Sequence, residues 1–154
     1  MRTFVYFLLI LALCVWAGGI IFFSFVVAPT VFATLRSQDA ASVVNLSLAT
    51  LHRIGLSCGV LFLALTFLVE LKRAKPLRAL VALMVLSTAV SQFGVTPQMQ
   101  RIRDAVGGSI QALPSQDAGR AAFSRLHQLS VVLEGVTLFA GIGALALLSR
   151  EPQS

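Results

Sequence analysis

The sequence predicts an all-α protein, an integral membrane four-helix bundle made of two similar helical hairpins. Three observations lead there. The chain of 154 residues is 57% hydrophobic and only 12% charged, about half the charged fraction of an ordinary soluble domain. Its apolar residues fall into four runs, each close to the roughly 20 residues that a helix needs to cross hydrocarbon. A set of landmarks also occurs twice: an apolar span, a proline (Pro29, Pro97), an amphipathic extension, a polar restart, a Leu-His pair ending in His52 or His127, and a second apolar span.

The mean hydropathy is +0.89, and the four spans at about 4–27, 54–71, 77–95 and 129–148 leave no room for a separate soluble domain. The whole of 1–154 is therefore expected to be one transmembrane domain. The first run is much longer than the roughly 7–15 apolar residues of a signal peptide, and no clean small-residue cleavage site follows it. Trp16 precedes Ala17, Gly18 and Gly19, small residues that would let a neighbouring helix approach closely. Past Pro29 the amphipathic PTVFATLR is expected to extend the first helix beyond a kink.

Asp39 is a plausible start for the second helix, which would run to about Leu71 with its first turns outside the hydrocarbon. The second span ends near Glu70, an interfacial acid beside Lys72, Arg73, Lys75 and Arg78, with Pro76 in the turn. The third span carries Ser87, Ser91 and Gln92 and continues past Pro97 as a helical extension stopped at Gly107-Gly108. Ser115 is a candidate N-cap for the last helix. A short polar tail ends the chain.

The net charge of +6 does not point to nucleic acid. The cations sit at the ends of apolar runs, where such charges set topology or meet lipid phosphates. Aromatic and basic residues are not interleaved as on a single-strand-binding surface. The expected partner is the lipid bilayer, with a second copy or another membrane protein as the candidate protein partner. The densest basic cluster, 72–78, places both termini in the cytoplasm, in a membrane of the bacterial inner-membrane type. The two cysteines, Cys14 and Cys58, differ in expected depth by roughly 13 Å at about 1.5 Å per residue. That is too far for a disulfide, and both read as buried packing residues.

No residue is assigned a catalytic role. His52 and His127 open the second and fourth spans at the same membrane face. In a sequential bundle those helices are diagonal, about 11–14 Å apart. Inward histidines there are candidate ligands for a metal ion or a haem, with Arg53 and Arg125 as candidate partners of propionates. Without a third ligand, the metal signature is thin. The alternative is two interfacial histidines bonded to loop carbonyls. Glu134 follows His127 by seven residues on the same helix face, roughly 10 Å deeper. An acid inside a span costs about 2.5–3.5 kcal/mol on insertion scales, so it should face the bundle. Ser24, Ser57, Cys58 and Gln92 count to similar depth. A buried polar layer with Glu134 is thus expected, either as a ligand, proton or cation site serving transport, or as a hydrogen-bonded cluster that sets helix register.

Three motifs carry a family resemblance: WAGGIIFFSFVVAPTVF at 16–32, P-x-M at 97–99 and F-x-x-L-H-x-x-S at 123–130. In order and spacing they resemble the transmembrane protein 205-like family, small four-span membrane proteins of unknown function. The resemblance covers nearly the whole chain and implies the fold without implying an activity. Glu134 stands where many relatives are expected to carry asparagine. At the level of fold alone the plan is also similar to the copper-resistance-D-like and HemJ-type membrane proteins, which place histidines at helix ends; the HemJ type uses haem in porphyrin oxidation. The function expected is that of a non-enzymatic membrane component binding a small ligand between its helices. The alternatives are a haem or metal redox protein using His52 and His127, and a transport accessory using Glu134.

Overall fold

The computed structural model describes residues 2–107 and 110–151. Four long helices account for nearly all of them: α1 (Arg2–Thr34), α2 (Ser37–Leu65), α3 (Ala74–Ala105) and α4 (Ala118–Leu148). They form a ring in chain order, with α1 packed on α2 and α4, and α3 packed on α2 and α4. This is the expected four-helix membrane bundle of paired hairpins. At about 1.5 Å per residue, helices of 29–33 residues are longer than the roughly 30 Å hydrocarbon layer. Each therefore extends past it.

The two prolines do not end α1 and α3. A proline lacks the N–H for an i−4 bond and its ring crowds that carbonyl. Both helices absorb this by widening one turn, at Phe23–Val27 in α1 and Val90–Val95 in α3. The Ala28 N–H reaches back to the Phe23 carbonyl, and the Thr96 N–H to the Ser91 carbonyl. The Thr96 hydroxyl donates to the same Ser91 oxygen at 2.9 Å. Such π-turns recur at functional sites. Ser24 and Gln92 hold equivalent places in them, each five residues before its proline.

The bundle differs along its length. Toward the termini it is tightly packed around Leu9, Leu13, Trp16, Phe62, Leu77, Val81, Met84 and Ala144. Trp16 lies in a groove of α2 floored by Gly55 and Gly59. A methyl group on Gly55 would overlap the indole, and one on Gly59 would lie 2.5 Å from Val85 and 2.7 Å from Trp16. Close approach is thus provided by α2. Gly18 has open space around it, contrary to the expectation that Gly18 and Gly19 jointly serve this purpose, although Gly19 does meet Leu51. Large side chains such as Phe25, Phe67, Phe93 and Phe139 stand exposed on the outside, a surface suited to lipid. Cys14 is among the outward residues, whereas Cys58 is half-buried. Both are free.

Three helix ends differ from expectation. α2 begins at Ser37, with Asp39 in its first turn, where a carboxylate faces the positive end of the helix dipole. It stops at Leu65 instead of continuing to Leu71. The Arg78 guanidinium donates to the Thr66 carbonyl at 2.8 Å and to the Thr66 hydroxyl at 3.0 Å, and stacks 4.0 Å from the centre of the Phe67 ring. These bonds satisfy an orphan carbonyl and let the chain leave the helix early. α4 is capped by Asp117, not Ser115: its carboxylate accepts the N–H groups of Gly119 at 2.8 Å and Arg120 at 3.1 Å. α3 ends at Ala105 and Gly107 adopts φ +69°, as a helix-stopping glycine does; Gly108 lies outside the described residues.

At the terminus end, Glu151 is buried and accepts the backbone N–H groups of Lys72 at 2.8 Å and Arg73 at 2.7 Å. This ties the segment after α4 to the loop before α3. Glu70 is exposed.

Candidate functional site

In the less tightly packed half of the bundle, toward the histidines, a few polar side chains meet between the helices. His52 is the sixteenth of 29 residues in α2, and Glu134 the seventeenth of 31 in α4. The two helices run in the same direction, so these midpoints fall level. His52 Nε2 hydrogen-bonds Glu134 Oε1, and His52 Nδ1 lies 2.8 Å from Gln92 Oε1 on the π-turn of α3. His52 is 2% exposed, and the Glu134 side chain 17%. One imidazole therefore joins three helices and crosses the diagonal of the bundle.

The donor inventory determines the protons of this chain. An amide oxygen only accepts, so Nδ1 carries a hydrogen and donates to Gln92. The contact between Nε2 and the carboxylate then holds one further proton. On the imidazole it makes an ion pair, and on the carboxyl it makes a neutral pair. The pair has zero net charge either way, which low-dielectric surroundings favour. Removing that proton would leave two acceptors facing each other with a net negative charge.

Beside this chain lies a cavity of about 430 Å³ bounded by all four helices. α1 contributes Phe23 and Ser24, α2 contributes Asn45 and Leu48, α3 contributes Thr96 and Met99, and α4 contributes His127, Ser130 and Glu134. The walls are mostly apolar, with polar groups at a few points, as in small-molecule sites generally. Glu134 belongs to both features: one oxygen meets His52 and the residue also lines the cavity.

Of the residues of the expected polar layer, Gln92 and Glu134 each bond His52, and Ser24, exposed overall, stands on the wall of the same cavity. It adds His52, which the sequence places at a helix entrance. Ser57 does not join them. It is exposed, and its hydroxyl donates to the Arg53 carbonyl at 2.9 Å. Arg53 and Arg125 are exposed on α2 and α4. His127 is exposed overall while lining the cavity.

Ligation of a haem or metal by the two histidines needs a free nitrogen on each. Both ring nitrogens of His52 are engaged, so the residues do not fit that arrangement. Among the described residues, no three His, Cys, Asp or Glu side chains are grouped to hold a metal ion.

The family described as a domain of unknown function (DUF4149) matches residues 11–107. The chain belongs to this family. No curated protein and no solved structure matches it. The matched part of this DUF4149 protein contains His52 and Gln92, while Glu134 and His127 lie beyond it on α4. The chain is a small multi-pass membrane protein of a family without an assigned function.

Two features of the DUF4149 site have sequence signals that helix lengths would have exposed. With α2 ended at Leu65 instead of Leu71, His52 counts to the helix midpoint, level with Glu134. The spacing Gly55-x-x-x-Gly59 is a small-residue pattern that receives a large partner. Buried Ser91, whose hydroxyl has no partner among the described residues, carries no such signal.

Proposed function

We propose that this protein is a membrane component that binds a small, largely apolar molecule between its helices, in the cavity beside Glu134. The observation carrying this reading is the cavity itself: about 430 Å³, walled by all four helices and lined by apolar side chains with Ser24, His127 and Glu134 among the polar points. The other half of the bundle has Trp16 and Met84 buried in its core. The finer resemblance to transmembrane protein 205-like proteins belongs to the same reading and rests on the motifs at 16–32, 97–99 and 123–130. The basic cluster at 72–78 supports an orientation with both termini in the cytoplasm of a bacterial inner membrane.

Methionine methyl groups provide the test. Met99 lines the cavity, and Met84 lies in the packed half. With 13C-methyl methionine in nanodiscs, the neutral probe neopentylbenzene is expected to shift the Met99 methyl and leave Met84 in place. Gly135 also lines the cavity, and a methyl group there meets nothing within 4 Å. Gly135→Leu is therefore expected to fill the space and abolish the shift. A Met99 signal indifferent to the probe in the wild-type protein refutes the reading.

A further inference from the structure

We infer that the cavity takes a small organic cation with an apolar body, and that the cation enters in exchange for the proton held between His52 and Glu134. This deepens the proposed function and rests on the same cavity.

Glu134 stands where the hydrogen-bonded chain meets the cavity. Its carboxyl group is the only acid among the described cavity-lining residues, and it is bonded to a buried imidazole whose other nitrogen is held by Gln92. That second bond fixes the ring, so Nε2 stays directed at Glu134. Without a ligand, one proton keeps the pair at zero net charge. A bound cation can replace it: Glu134 becomes an unprotonated carboxylate facing the cation, His52 becomes neutral, and the site is again at zero net charge. The proton leaves to water, one for each cation bound. A neutral ligand of the same shape gives no such compensation and displaces no proton.

The groups facing Glu134 decide whether another titration could mimic this. α2 presents His52. α1 presents Ser24 to the cavity and α3 presents Thr96, neither of which carries charge, and Gln92 of α3 touches the pair through His52. On α4 itself, His127 lines the cavity and would also repel a cation when protonated. Its contribution must therefore be separated experimentally. The aromatic face of Phe23, another lining residue, suits a quaternary ammonium group.

Benzyltrimethylammonium and neopentylbenzene differ only by the exchange of N⁺ for carbon, which makes them a matched pair of probes. Binding is read from the Met99 methyl in nanodiscs across a pH series, and proton release from calorimetry in two buffers of different ionisation heat. The cation is expected to bind about tenfold more tightly for each pH unit raised, over the range in which the pair still holds its proton, and to release close to one proton. Such a slope is what one-for-one linkage requires. Neopentylbenzene is expected to show neither effect. Glu134→Gln should flatten the cation's pH dependence, whereas His127→Gln should keep the slope whatever it does to the affinity at one pH. Cation affinity flat with pH in the wild-type protein, or a slope abolished by His127→Gln and kept by Glu134→Gln, overturns the exchange. If neopentylbenzene binds and the cation does not, the cavity reading stands and this inference falls. If neither probe moves Met99, both fall.

Discussion

His52 Nε2 on α2 meets Glu134 Oε1 on α4, joining two helices that lie diagonally across the bundle. The same imidazole also bonds Gln92 of the neighbouring α3, so polar atoms link three helices at this level. The contact lies where the packed core gives way to the cavity, and so couples helix arrangement to whatever occupies that space. Losing either partner should loosen the histidine end of the bundle more than the terminus end.

The first prediction concerns that coupling. In a double-mutant cycle of His52→Asn and Glu134→Gln, measured by reversible unfolding in bicelles, the interaction energy should be about 1–2 kcal/mol. Polar contacts in membranes reach this range at their upper end. An interaction energy near zero would mean that the two side chains act independently.

A second prediction contrasts two glycines. Gly55→Ala places a methyl group inside the Trp16 indole and should destabilise the bundle by about 1–3 kcal/mol, as overpacking generally does. Gly18→Ala meets nothing within 4 Å and should be neutral or slightly stabilising, since alanine favours helix by up to about 1 kcal/mol. Thermal unfolding in the same detergent ranks the two, and equal midpoints would contradict the packing described.

The third concerns helix starts. Asp117→Ala removes the acceptor for two N–H groups at the head of α4 and should cost about 1 kcal/mol. Ser115→Ala should be close to neutral. Amide exchange at Gly119 and Arg120 reports directly, rising in the first variant and not in the second.

The fourth concerns the terminus end. Glu151 receives two backbone N–H groups while buried, and Glu151→Ala leaves both donors without it. The expected loss is about 1–3 kcal/mol, with faster proteolysis at 66–73. Unchanged proteolysis there would show that the tail does not hold the loop.

Much of this architecture was legible in the sequence because hydrocarbon imposes coarse rules. Four apolar runs became four helices, and the repeated prolines became a repeated π-turn. The polar layer was legible in part, since the cost of burying Glu134 requires that it face inward and Gln92 counts to the same depth. What the sequence concealed was where α2 ends. The expected helix ran to about Leu71, with the turns before its span outside the hydrocarbon; because it stops at Leu65, His52 falls at its midpoint instead of at a span entrance. The matching Leu-His pairs also mislead: His127 sits nearer its helix start than His52 does, so the sequence pattern repeats without the positions being equivalent. Asp117 and Glu151 act through single carboxylates on backbone N–H groups, and neither leaves a periodic trace.

The proton chain through His52 is the centre of this account, and nitrogen NMR of 15N-histidine protein in nanodiscs tests it most directly. His52 is expected to carry a hydrogen on Nδ1 that is lost or displaced in Gln92→Leu. A deshielded proton is expected between Nε2 and Glu134, and it should disappear in Glu134→Gln. A His52 ring with an unprotonated Nδ1, or one whose nitrogens exchange freely with water and ignore both substitutions, would contradict it.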